Sequence, residues 1–177
     1  MSSSTTPAPL TDREAVIQAV LGFTESLDLN SPSLLRENTT PDFVFDRTAL
    51  VAALGLGGSG EVDRGQEAVI KSVLVEVGGM TTSHHVSNFR VRVEGEEDGK
   101  KEGEGVRKAV FEARALAYHH RVLGRPAEGA GNLYAMSNTY KGEAVRGADG
   151  RWRLARFRVE PVWQSGNLAV VKGAAGH

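Results

Sequence analysis

Apolar residues recur at helical spacing from Thr11 onward, with Val16, Ala19, Val20, Phe23 and Leu27 on one face. Thr11 and Glu14 form a capping-box pattern ahead of that face, and the stripe runs out at Asp28, so a first helix is predicted over 11–28. Ser31 as a cap and Pro32 at the first helical position predict a short second helix carrying Leu34 and Leu35. Phe43, Val44 and Phe45 predict a brief strand. Over 66–77, Ala68, Val69, Val73 and Val77 make the stripe of a third helix, which Gly78 and Gly79 are expected to end in a left-handed turn.

Beyond Gly79 the apolar period falls to two. Four long strands are predicted over 84–94, 106–123, 131–146 and 151–163, with GEEDGKKEGEG as a charged turn after the first and GADG as a tight turn before the last. Three N-terminal helices followed by such strands predict an α+β domain, a strongly bent, cone-shaped, mixed or antiparallel sheet wrapped around the helices. Helices that plug only part of the concave face leave an apolar pocket of ligand size. The domain is expected over 11–168, between flexible tails at 1–10 and 169–177.

The stretch ALVAALGLGGSGEVDRG places Gly55, Gly57 and Gly60 at the spacing of a dinucleotide fingerprint. No strand pattern precedes it and no helix opens at the third glycine, so a mobile surface loop is expected instead.

Composition narrows the function classes. Twenty-one Lys and Arg against 22 Asp and Glu, in 177 residues, give a formal charge of -1 and no global field for nucleic acid or anionic membrane. Arg151, Arg153, Arg156 and Arg158 alternate with apolar residues and read as a solvated or subunit-facing side, offset by the acids of 94–104, rather than as a nucleic-acid surface. The chain has no cysteine, which excludes disulfides, thiolate metal sites and cysteine nucleophiles. The first ten residues lack a signal-peptide pattern and no run approaches the ~20 apolar residues of a membrane helix, so a cytoplasmic protein is expected.

Four of the five histidines stand in adjacent pairs, His84 with His85 and His119 with His120. Ala109, Phe111, Ala113, Ala115, Ala117 and His119 alternate onto one small, apolar strand face that leaves room for a helix or a small molecule. His119 is either a pocket histidine or one hydrogen-bonded at the rim of a core. Simple alternation puts His85 with Phe89, Val91 and Val93 and sends His84 to the other face; a bulge near Asn88 reverses this. Asp28 is either a turn cap for Asn30 or Ser31, or the carboxylate that orients a histidine as a general base. The histidine spacings suit no metal site, and neither metal nor cofactor is expected.

The order of an aspartate ending the first helix, HHVSN opening a strand, AYHHR on a middle strand and DGRW followed by VEPVWQSGN at the end resembles the SnoaL-like group of the nuclear transport factor 2-like superfamily, which includes scytalone dehydratase and polyketide cyclases. The resemblance covers about residues 11–168. It implies that His84, through His-x-x-x-Asn with Asn88, is the functional histidine, which requires the bulge. It implies an Asp28–His84 dyad with His119 as the second pocket histidine. The pocket tyrosines of the dehydratase are missing: Leu27 stands before the aspartate, and Arg47 or Leu50 stands near the other position. Tyr134, Asn138 and Tyr140 are candidate substitutes, and Asn88, Phe111, Ala115, Ala117 and Trp163 are expected to bind substrate with them.

The implied activity is acid-base dehydration, isomerisation or cyclisation of a small polyketide-like carbonyl compound in secondary metabolism. Ring closure by shape alone and non-catalytic binding or assembly are the alternatives. Self-association as a homodimer or homotrimer is expected, with Phe89, Val91 and Val93 on one side or Leu116 and Tyr118 on another as candidate contacts.

Overall fold

The computed structural model describes residues 9–55, 62–94, 107–121 and 130–172. Helix α1 (Asp12–Asp28) opens with the expected capping box, Thr11 accepting from the Glu14 N–H and Glu14 accepting from the Thr11 N–H at 2.7 Å. Ser31 caps α2 (Pro32–Asn38), and β1 (Thr39–Asp46) follows directly. The remaining strands are β2 (Val62–Arg64), β3 (Thr81–Val93), β4 (Lys108–His120), β5 (Leu133–Arg146) and β6 (Trp152–Gly166). They form one curved, unclosed sheet in the order β2-β1-β6-β5-β4-β3, antiparallel throughout except for the β1–β6 pair. The α+β architecture and bent sheet read from the sequence are those of the structure.

Helix α1 lies in the bend and buries Val16, Val20, Phe23 and Leu27 against the sheet. Phe23 meets Phe43, Phe45 and Phe157 at ring separations of 4.8 to 5.5 Å, mostly edge to face, so one helical side chain gathers three strand aromatics. Phe111 and Tyr140 extend this cluster through Phe157.

Several local expectations are corrected. The stretch expected to be a loop contains α3 (Thr48–Leu54), started by the Asp46 carboxylate accepting from the Thr48 N–H and ended by Gly55 at φ 62°, and then β2. Gly57 and Gly60 lie outside the described residues. The third helix is α4 (Gln66–Val69), a π-helical segment Ile70–Leu74 and α5 (Val75–Gly78); the wider turn buries Leu74 as well as Val73. It ends at Gly79 with φ −89°, so no left-handed cap forms. Ala169–Lys172 form α6 with Val170 fully buried, which carries ordered structure past residue 168. The charged turn and most of both tails lie outside the described residues. Arg153, Arg156 and Arg158 find their acids at Asp149, Glu143, Asp46 and Glu160, whereas the segment expected to offset them lies mostly outside those residues.

The bulge in β3 is present. Ser87 pairs with Arg114 but Arg90 pairs with Glu112, so β3 spends one extra residue there, and Asn88 takes φ 54°. Upstream of it Thr82, His84 and Val86 point inward; downstream Val91 and Val93 do. Val93 is therefore buried and Phe89 and Val91 pack on the core, which removes these three from the candidate self-association surface.

A left-handed residue with a β-branched side chain costs about 1–2 kcal/mol. Asn88→Val is expected to lower unfolding free energy by that amount in urea titration, whereas Asn88→Gly should stay within about 0.5 kcal/mol of wild type.

Candidate functional site

The alternating face of β4 is buried along its whole length, but it faces two surroundings. Ala109, Phe111, Ala113 and Ala115 are covered by α1 and the aromatic cluster; Ala117 and His119 lie beyond the last turn of the helix. There the sheet encloses a chamber of about 120 Å³. His84, Ala117, His119, Tyr134, Asn138 and Tyr140 form its sheet wall, and Leu27, Leu50, Leu54, Val77 and Met80 contribute apolar surface.

Asp28 ends α1 and stands behind His84. A carboxylate at a helix C-terminus opposes the helix dipole and needs donors from elsewhere. Strand β3 supplies three: the His84 N–H to Oδ2 at 2.9 Å, the Thr82 hydroxyl to Oδ1 at 2.8 Å, and the His84 ring Nδ1 at 2.6 Å from Oδ1. Burial raises the Asp28 pKa, but the His84 ring, its charge and N–H, and Thr82 outweigh it, and the net shift is downward. An ionised carboxylate only accepts, so Nδ1 carries a proton and the neutral form of the ring is the tautomer with its lone pair on Nε2. The turn-cap alternative for Asp28 is not what forms: Asn30 and Ser31 bond to the Leu27 and Ser26 carbonyls, and Ser31 itself caps α2.

His119 is buried, 8% exposed, with its ring edge-on to His84 at a centroid distance of 5.8 Å. Burial, then the neighbouring His84, lower its pKa to about 4, which the Tyr134 backbone and the Asp28 charge only partly offset. Its Nδ1 and the Oδ1 of the almost fully buried Asn138 have no hydrogen-bond partner. Two such groups at one chamber wall are positions for ligand atoms or water. Burial holds the Tyr140 phenol far above its ordinary range, despite a hydrogen bond from the Asn138 side chain, and the Tyr134 hydroxyl donates to Gln164 Oε1.

The other expected binding residues lie elsewhere. Asn88 is exposed and serves the bulge. Phe111 and Ala115 belong to the core under α1. Trp163 is 48% exposed on the outer face, because β6 has its own irregularity: Pro161 pairs with Asn138 but Trp163 with Ser137, one residue too many, and the face reverses. His85 also faces outward, 3.1 Å from Ser83 Oγ and edge-on to Tyr118.

Sequence reading did not assign a role to Arg47 and Glu76, which also line the chamber. Arg47 is a lone cation between FVFD and TALVAAL, and that apolar setting is the signal that would have marked it for burial. Among the described residues no group of three His, Asp or Glu side chains is arranged to hold a metal ion, and no helix is long and apolar enough to cross a membrane.

A model of the SnoaL-like domain matches residues 8–158. Terrestric acid biosynthesis cluster protein E of Penicillium crustosum is 27% identical over 168 residues, 94% of this chain and 93% of that protein. The Kfla4162 protein of Kribbella flavida superposes with TM-score 0.73 at 19% identity, covering 91% of this chain and 97% of that one. A candidate scytalone dehydratase from Novosphingobium aromaticivorans superposes with TM-score 0.63 at 20% identity, covering 88% and 87%. At these identities the two structures show a common fold, which a nuclear transport factor 2-like superfamily protein of Salmonella enterica shares with TM-score 0.59 at 12% identity, covering 88% of this chain and 90% of that one.

A histidine titrating near 6.5 when unfolded and near 4 when folded makes stability rise with pH across that window. The stability is present above pH 6.5 and lost as pH falls toward 4. Between pH 7.5 and 4.5 the wild type should lose about 2–3 kcal/mol more than His119→Asn in urea titrations. Equal pH dependence of the two proteins contradicts the depressed His119.

Proposed function

The chain belongs to the SnoaL-like domain family, and from that premise we propose that it is an acid-base enzyme of secondary metabolism acting on a small carbonyl compound. The observation that carries this reading is the Asp28–His84 pair at 2.6 Å behind a largely apolar chamber. The relative encoded in a terrestric acid biosynthesis cluster supports the metabolic setting.

His84 Nε2 takes a proton from the carbon next to the carbonyl. Asp28 balances the imidazolium that results and keeps the ring in one tautomer. The developing oxyanion needs a donor, and His119 serves as a neutral one: with a pKa of about 4, roughly one ring in a thousand is protonated at pH 7. His119 therefore polarises the carbonyl through an N–H instead of delivering a proton as imidazolium. Asn138 Oδ1 accepts from a substrate hydroxyl. The proton on His84 then returns to a departing hydroxyl, which gives dehydration, or to another carbon, which gives isomerisation. A chamber of about 120 Å³ suits a single ring or a chain of similar bulk.

The outer sheet face supports self-association. Leu116, Ser137 and Trp163 stand in one cross-strand row, with exposed Tyr118 two positions along β4 from Leu116. Light scattering should give a mass above that of one chain, reduced to one chain by Trp163→Glu.

The base is tested by deuterium exchange in D2O at the α-carbon of single-ring ketones and β-hydroxy ketones, followed by proton NMR. Wild type should exchange one α-hydrogen stereospecifically, and His84→Ala should slow this by about 10²–10⁴-fold. Asp28→Asn should fall between them. An unchanged rate in His84→Ala removes His84 as the base.

A further inference from the structure

The proton chemistry leaves one buried charge in the chamber wall unused. The Arg47 side chain is 8% exposed, its guanidinium 5.7 Å from the Phe45 ring centre. Nη2 donates to Asp63 Oδ2 at 2.9 Å and Nη1 to Glu76 Oε2 at 2.7 Å. The two carboxylates differ in standing. Asp63 is 10% exposed and sits in β2, clamped opposite Phe45 of β1; it stands behind Arg47 as Asp28 stands behind His84. Glu76 is 52% exposed, lines the chamber, and belongs to the four-residue α5 between the π-helical segment and Gly79.

The geometry points to Arg47 as the anchor for a carboxylate carried by the substrate, with Glu76 as the internal carboxylate that occupies this position until substrate displaces it. This inference rests on the chamber being the substrate site and adds the charge of the substrate. Nη1 holds Glu76 through Oε2 while Nη2 holds Asp63, so at the place now filled by Glu76 a buried guanidinium already receives one anionic oxygen, and the charge-assisted contact there favours a carboxylate over a neutral carbonyl. Displacement is inexpensive on the protein side, because a half-exposed glutamate returns to water, whereas Asp63 keeps the buried cation paired. The π-helical turn gives α5 a natural point of movement. With the acid end at Arg47, the rest of a single-ring substrate extends toward His84 and His119, which line the same chamber.

The test is binding of benzoate and of its neutral analogue benzamide, measured by calorimetry. Glu76→Gln removes the internal competitor at a half-exposed position and leaves the Arg47–Asp63 pair intact, so the variant should fold. It should bind benzoate at least tenfold more tightly than wild type and benzamide within twofold. In Arg47→Gln/Asp63→Asn/Glu76→Gln the gain should vanish, and in Arg47→Lys/Glu76→Gln, which retains a cation but not the planar group that reaches Asp63 and the ligand position together, it should fall at least threefold. Benzoate binding to Glu76→Gln that is undetectable or within twofold of wild type overturns the assignment. So does a gain undiminished in whichever multiple variant folds, which would reflect loss of negative charge alone. Binding is read without turnover: in His84→Ala/Glu76→Gln the benzoate preference should persist, so failure of the base and failure of the carboxylate anchor are told apart.

Discussion

The carboxylate of Asp28 is the point on which the site depends. It terminates a helix at the end where negative charge is unfavourable, and it is tolerated because an N–H, a hydroxyl and an imidazole of one strand converge on it. The same contacts fasten α1 to β3 and determine where the helix stops along the sheet. Short of that point lies the core, filled by Phe23 and its aromatic neighbours. Past it the chamber opens, and Phe23, Phe45 and Phe157 form part of its lining.

Charge around the chamber follows a repeated plan. His84 and Arg47 each have a carboxylate at their back, Asp28 and Asp63, while His119 is left without one and is held neutral by burial. An imidazole kept neutral at pH 7 is suited to donating a hydrogen bond without competing for the proton that His84 would take in the proposed reaction. The contrast between the two histidines comes from burial and neighbours rather than from residue type, since both are the same amino acid.

Much of this was legible in the chain. The capped stripe of α1, the period-two run of β4 and the aspartate at the helix end fix the fold and two sides of the site, because local spacing maps directly onto which face is covered. What was not legible depended on single-residue irregularities. Alternation alone pointed His84 outward, and only the resemblance to SnoaL-like proteins favoured a bulge. At Trp163 the same kind of irregularity went unanticipated, so a side chain expected in the pocket lies outside. Phe111 and Ala115 share the correct face, but how far a helix reaches along that face is a tertiary fact. Arg47, Asp63 and Glu76 are far apart in sequence and carry no shared motif, so their meeting could not be read from spacing.

The extra residue at Asn88 also has a consequence for TSHH. Flattening the bulge at full chain length would slide the upstream half of β3 by one position, bringing Ser83 opposite His119 where Thr82 stands and His85 opposite Ala117 where His84 stands. Hydroxyl and imidazole recur in the same order one step along, so the dipeptides are a duplicate set held on the opposite side of the ribbon. A register slip that would ordinarily withdraw an imidazole from the chamber would here exchange it for its twin, whereas deletion of Asn88 would straighten the ladder and leave both flanks where they are.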